Sequence, residues 1–150
     1  MDKQSAPLTI LMADDDDDDC LLTRAAFQRA QIANELRFVH NGEELLDYLH
    51  RRGAFADPQS SPRPALILLD LNMPRKDGRE ALRDIKASPA LRRIPVVVLT
   101  TSSAAEDVNN TYDLGANSFV TKPTSFEGLV EAVRLIGRYW SEVVALPSEP

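Results

Sequence analysis

Only one cysteine, Cys20, occurs in the chain, so no internal disulfide can form. An unpaired thiol fits a reducing cytosol, and a cytoplasmic location is expected. Long apolar runs are missing as well. Leu66–Leu69 and Val96–Leu99 are far shorter than the about 20 residues that a membrane-spanning helix needs. The start, Met1 to Pro7, is polar and does not read as a targeting segment. No membrane association is expected. Basic excess is lacking too: the formal net charge is −6, and general nucleic-acid binding needs a basic footprint. Histidine is scarce, and His40 and His50 read as surface or helix-end residues without an acid–base role. No internal repeat is present.

What the sequence does contain is an ordinary globular balance, with 43% hydrophobic and 27% charged residues. Its 150 residues suit one domain that buries a core without disulfides. Five apolar runs of strand length recur: Leu8–Ala13, Glu35–Val39, Ala65–Leu69, Val96–Leu99 and Ser118–Val120. The first, third and fourth are continuously apolar, as strands buried on both faces are. Helical patterns lie between them. Leu22, Ala25 and Ala26 mark the first, and Leu45, Leu46 and Leu49 the second. Ala81, Leu82 and Ile85 mark the third, and Ala105, Val108 and Tyr112 the fourth. The fifth is the clearest, with Phe126, Leu129, Val130, Val133, Ile136 and Trp140 on one face.

Asn41 with Glu44, Ser103 with Glu106 and Thr124 with Glu127 read as helix starts, and Asp16 or Asp17 as the cap of the first helix. Strict alternation predicts an α/β fold, a doubly wound sheet of five parallel strands with five helices. The stretch Asp57–Pro64 is a long surface loop. Residues 1–7 are expected to be a disordered tail, residues 8–145 the domain, and residues 146–150 a C-terminal tail without room for an output domain.

In an open α/β sheet, ligands bind beyond the carboxyl ends of the strands. Asp14 and Asp15 follow the first run, Asp70 closes the third, Thr100 closes the fourth, and Lys122 follows the fifth. Carboxylates held a few ångströms apart repel by roughly 4 kcal/mol per pair at an effective dielectric of about 20. A hard divalent cation relieves that conflict, and Mg²⁺ favours oxygen ligands. It also draws charge from a phosphoryl oxygen. Lys122 can pair with a second phosphoryl oxygen and the Thr100 hydroxyl can donate to a third. Asp70 is then a carboxylate nucleophile. Each member alone has a plain structural reading: a solvated acidic loop, a strand threonine, a surface lysine. The joint placement at strand ends is what carries the chemistry.

At these residues the chain resembles the response regulator receiver family, across about Leu8 to Trp140. The likeness rests on Asp14-Asp15, on Asp70 within Leu68-Leu69-Asp70-Leu71-Asn72-Met73-Pro74, and on Asp77-Gly78. It continues through Pro95 to Thr100, Gly115-Ala116 and Lys122-Pro123. Within that family it is similar to single-domain regulators associated with bacterial phytochrome histidine kinases, through Pro74–Glu80, Leu99–Ser102, Ala116–Ser118 and Thr121–Pro123. The resemblance implies a flavodoxin-like fold of receiver type and direct Mg²⁺ ligation by Asp15, Asp70 and the Asn72 carbonyl. It implies that Asp14 acts through water, that Thr100 and Phe119 form the switch pair, and that Lys122-Pro123 is a cis peptide. The six-aspartate run Asp14–Asp19 departs from the family pattern and leaves a shifted pair, Asp15-Asp16, open. The end of the apolar run at Ala13 favours Asp14-Asp15.

The resemblance also implies partners: a sensor histidine kinase of the bacteriophytochrome class and a second copy of the chain. Homodimer contacts are expected from the end of the fifth helix, where Tyr139, Trp140, Val143, Val144 and Leu146 extend the apolar pattern. A true phosphatase or phosphotransferase is the competing reading. Such enzymes place a second aspartate two residues after the nucleophile, where this chain has Asn72, so a signalling switch with only self-phosphorylation and self-dephosphorylation chemistry is expected. A degenerate receiver acting as a scaffold is the third reading, and the presence of all five site groups argues against it.

Overall fold

The computed structural model describes residues 8–143 and 145–147. The expected N-terminal tail, Val144 and residues 148–150 lie outside the described residues, as does the side chain of Val143. The elements follow the expected alternation: β1 Thr9–Ala13, α1 Asp17–Arg29, β2 Glu35–Val39, α2 Gly42–Leu49, β3 Leu66–Leu69, α3 Gly78–Ala87, β4 Val96–Thr100, α4 Ala105–Asp113, β5 Ser118–Thr121 and α5 Phe126–Arg138. A π-type turn, Tyr139–Val143, extends α5. All strands are parallel, in the order β2-β1-β3-β4-β5. This is the doubly wound parallel sheet that the alternation predicts, in the flavodoxin-like form that the resemblance implies.

Every residue of β1, β3 and β4 is buried, because both faces of the sheet are covered. Side chains of a strand alternate between faces. Leu11, Ala13, Ile67, Leu69, Val96 and Val98 meet α2 and α3 through Leu45, Leu82 and Ile85. Ile10, Met12, Leu66, Leu68 and Val97 meet α1 and α5 through Phe27, Val130 and Val133. Each fully buried leucine contributes roughly 1.5–3 kcal/mol. The carboxyl ends of β1, β3 and β4 are thereby fixed on a rigid platform, and the polar residues that follow them inherit that rigidity.

Two helix faces differ from the sequence expectation. On α1 the buried residues are Cys20, Thr23, Ala26 and Phe27, whereas Leu22 is 48% exposed. Small side chains at positions 20, 23 and 26 let the helix approach the sheet, and the bulkier leucines are turned out. On α4 only Thr111 is buried, and Tyr112 is exposed. Caps differ as well. Asp16 caps α1 and Asn41 caps α2 as expected. α5 starts from Ser125, whose hydroxyl accepts the Gly128 amide, not from Thr124. α4 has no side-chain cap, because Ser102 and not Ser103 turns toward it, donating to Asp107 at 2.6 Å. Asp77 and Glu80 form a full capping box on α3. The long loop is a surface connection, tied down by the Tyr48 hydroxyl donating to the Pro62 carbonyl at 2.8 Å.

Candidate functional site

Asp14 continues the sheet by one residue, its amide donating to the Val39 carbonyl at 3.0 Å. Its carboxylate is 0% exposed. Asp15 follows on the solvent side. Asp16 is committed elsewhere: its carboxylate accepts the amides of Asp18 and Asp19 at 2.9 and 3.3 Å, satisfying the open donors of the α1 N-terminus. The acids that gather are Asp14, Asp15 and Asp70, each with an oxygen within 4.8 Å of the others. Hence the aspartate run divides by role, with its first two members at the strand end and its third on the helix backbone.

Asp70 is set by β3, with its amide bonded to the Ala13 carbonyl at 3.0 Å. Behind it, Gly78 at the start of α3 lies so close that a Cβ there would overlap the Asp70 carbonyl oxygen. Only glycine permits α3 to start at that point. Thr100, fully buried at the end of β4, donates its hydroxyl to Asp70 Oδ1 at 2.7 Å. The Asn72 amide points at the same oxygen from 3.4 Å. Lys122 hangs from its backbone bond to the Thr100 carbonyl, 2.7 Å. Its Nζ lies 2.6 Å from Asp14, 2.7 Å from Asp19 and 3.6 Å from Asp70.

Burial pushes the Asp14 carboxyl above its ordinary value, and the Lys122 hydrogen bond pulls partly against that. Burial also opposes the Lys122 charge, but the bonds to Asp14 and Asp19 together outweigh it and the ammonium titrates above its ordinary range. The lysine therefore stays charged inside the site. Burial pushes the Cys20 thiol up to about 12, consistent with a small packed residue of α1 and not a reactive one.

No peptide bond among the described residues is cis, so the expected cis Lys122-Pro123 is corrected to trans. Trans is the lower-energy isomer by about 0.5–1 kcal/mol. Lys122 reaches the carboxylates without the sharper turn, because its backbone is already drawn to β4. Phe119, the expected partner of Thr100, is half-buried against the α2–α3 side of the core. Its amide donates to the Tyr112 hydroxyl of α4 at 3.2 Å. A second link joins the β4–α4 loop to α3, with Asp107 accepting from Ser102 and from Arg79 at 2.9 Å. These two donors hold the Asp107 carboxyl below its ordinary range.

Asp19 is the site neighbour that reading the sequence missed. The detectable signal is the cap at Asp16, which places Asp19 three residues on in the first turn, on the side of the strand end. Three convergent carboxylate oxygens are the donor set a hard divalent cation takes. The neighbouring hydroxyl and ammonium are suited to the oxygens of a tetrahedral anion.

Comparison with known proteins gives the same picture. The response regulator receiver domain family matches residues 10–134. The chain is 41% identical to the response regulator Rcp1 of Synechocystis sp. over 98% of each chain. The solved Mn²⁺-bound form of Rcp1 superposes with a TM-score of 0.84 at 42% identity, over 95% of this chain and 100% of that one. The phosphorylated cyanobacterial phytochrome response regulator RcpA gives 0.88 at 40% identity, with the same coverage. RPA3017, a response regulator in red light signaling of R. palustris, gives 0.90 at 41% identity, over 95% and 99%.

Proposed function

The chain belongs to the response regulator receiver domain family, and from that premise we propose that it is a cytoplasmic, single-domain regulator. In this reading Asp70 takes a phosphoryl group from a sensor histidine kinase of the bacteriophytochrome class, with Mg²⁺ bound. The observation that carries it is the Asp70 carboxylate itself. It meets Asp14 and Asp15 within 4.8 Å, accepts from Thr100 at 2.7 Å and faces Lys122. Receiver domains hold a divalent metal at this aspartate cluster, and the Mn²⁺-bound relative supports that for this chain. Mg²⁺ is the ion proposed, because carboxylates, a carbonyl and waters suit it.

Asp15, Asp70 and the Asn72 carbonyl would hold the ion, with Asp14 acting through water. When bound, Mg²⁺ neutralises charge on the phosphoryl oxygens. A carboxylate oxygen of Asp70 attacks phosphorus. The O–P bond forms as the P–N bond to the donor histidine breaks, and the electron pair leaves with the imidazole. Lys122 and Thr100 donate to phosphoryl oxygens. Asn72 cannot shuttle a proton, which supports a switch over a turnover enzyme; a phosphate-release assay on added phosphomonoesters should stay at background. Among the described residues no helix is long and apolar enough to cross a membrane, in keeping with the location proposed.

With Mg²⁺ and acetyl phosphate, the chain should gain one acid-stable, hydroxylamine-labile phosphoryl group. Intact-mass analysis should find it on the wild type and not on Asp70→Asn. Equal labelling of both would remove Asp70 from the role.

A second copy of the chain is the proposed structural partner. Trp140 packs partly against its own sheet, while Leu135 and Tyr139 on the outer side of α5 are 61% and 49% exposed. Tyr139 stacks edge-on against Trp140 with centroids 5.3 Å apart, which presents a preformed aromatic surface. A symmetric pair through this stripe buries it. Light scattering should show a dimer that Leu135→Glu converts to monomer. A monomeric wild type at high micromolar protein, with and without beryllofluoride, would discard the dimer.

A further inference from the structure

We propose that Asp19 is a positioning residue for Lys122, keeping the ammonium off the Asp70 carboxylate until a phosphoryl group is there to receive it. The proposal rests on the reading of Asp70 as phosphoacceptor and Lys122 as its phosphoryl partner. A lysine ammonium has three N–H donors. Two are engaged, one with Asp14 at 2.6 Å and one with Asp19 at 2.7 Å. The distance to Asp70 Oδ2, 3.6 Å, is too long for a hydrogen bond. The third donor is therefore uncommitted among these carboxylates.

The two anchors come from different elements. Asp14 closes β1 and is sealed from solvent. Asp19 belongs to the first turn of α1 and is partly exposed, its side chain at 34%. Together they hold the ammonium between strand and helix, beside the nucleophile. Asp16 supports that placement, since its carboxylate accepts the Asp19 amide.

Removing the Asp19 charge leaves Lys122 tied to Asp14 alone on the carboxylate side. Asp70 Oδ2 then lies within about 1 Å of charge-assisted hydrogen-bond range. An ammonium seated there occupies a carboxylate oxygen of the nucleophile. It also brings positive charge toward the place a divalent cation must take. Phosphoryl uptake then slows, although Asp19 touches neither phosphorus nor metal. Acetyl phosphate reports this directly: the Asp70 O–P bond forms as the P–O bond to acetate breaks, and acetate leaves with the electron pair.

The control is Asp18, which carries the same charge on the same helical turn and is exposed. Uptake from acetyl phosphate at saturating Mg²⁺ is followed by intact mass in wild type, Asp19→Asn, Asp19→Glu and Asp18→Asn. Asp19→Asn is expected to slow uptake about tenfold, the loss of one charge-assisted bond. Asp18→Asn should stay within about twofold, since an exposed charge is screened, and Asp19→Glu should recover most of the rate. In the metal-free protein, the Lys122 ¹⁵Nζ resonance should shift in Asp19→Asn and hold in Asp18→Asn.

Equal slowing by the two asparagine variants would reduce Asp19 to one part of a general field. An unchanged or faster Asp19→Asn would overturn the positioning role outright. A wild type that takes no label on Asp70 defeats the phosphoacceptor reading instead, so the two failures are distinguishable.

Discussion

Replacing Asp15 with alanine should weaken Mg²⁺ binding by about a hundredfold or more, whereas Asp18→Ala should change it by less than about threefold. The contrast follows from where the two carboxylates lie. Asp15 stands at the mouth of the site, with an oxygen within 4.8 Å of oxygens of Asp14 and Asp70. A divalent ion there interacts with each unit charge by roughly 8 kcal/mol at an effective dielectric of 20 and a separation of 4 Å. A water in the vacated position returns much of that, and the exposed side of the site screens more. About 2.7 kcal/mol is a conservative remainder, and each 1.4 kcal/mol is tenfold. Asp18 belongs to the first turn of α1, exposed to solvent, where counterions screen it within roughly 10 Å. Calorimetric titration decides the matter. Comparable losses at both positions would mean that the aspartate run collects cations diffusely and that no defined centre exists.

That division within the run shows what the sequence disclosed and what it withheld. Position along the chain was enough to find Asp14, Asp70, Thr100 and Lys122. Asp14, Asp70 and Thr100 lie at the ends of strands buried on both faces, Lys122 follows the half-exposed edge strand β5, and parallel strands deliver their carboxyl ends to one edge. The strands β1, β3 and β4 were legible for the same reason: a run that is apolar but for at most one terminal threonine has no solvent face to choose. Helices carry a choice of face, and there the reading failed for α1 and α4. Leu22 looks like core but is exposed, and the packed stripe is Cys20, Thr23, Ala26 and Phe27, which fits helical spacing equally well. The deciding factor is closeness of approach to the sheet, a tertiary property that small residues permit and that periodicity does not rank.

Asp19 was hidden for a related reason. Among six identical residues, identity holds no information; the cap at Asp16 sets the helical phase, and phase alone sends one carboxylate inward to Lys122. The trans Lys122-Pro123 bond corrects an expectation that came from resemblance and not from these residues. Caps show both outcomes. Asn41 was legible as the best-placed acceptor before its helix, whereas for α1 the sequence left Asp16 and Asp17 open and the helix starts from Asp16. The tract Thr124-Ser125 offered two adjacent hydroxyls, and only the backbone path picks Ser125.

Thr100→Ala should still accept the phosphoryl group but lose the conformational response to it. The Thr100 hydroxyl is the one side-chain hydroxyl bonded to the Asp70 carboxylate among the described residues, at 2.7 Å. Phosphorylation adds about −1.5 to −2 charge and new acceptor oxygens, so the hydroxyl gains a stronger partner than the carboxylate it now serves. Two paths lead from Thr100 to the outer face. Through the backbone, the Thr100 carbonyl accepts the Lys122 amide at 2.7 Å, and Thr100 pairs with Thr121 across β4 and β5.

Through packing, Phe119 lies two residues earlier on β5, half-buried and linked by its amide to Tyr112 of α4. In the proposed switch, Phe119 would move inward as Thr100 turns to the phosphoryl group. If the proposed switch operates, the face formed by α4, β5 and α5 is the element that phosphorylation would bias. An alanine at position 100 keeps the metal ligands and Lys122, so uptake persists at a rate reduced about tenfold by the missing donor. Amide shifts recorded with beryllofluoride should reach Tyr112, Phe119 and α5 in the wild type. In Thr100→Ala they should stop at the residues around Asp70. Shifts of the same extent in both proteins would show that the signal leaves the site by another route, with the β4–α4 loop and its Ser102–Asp107–Arg79 link the next segment to test.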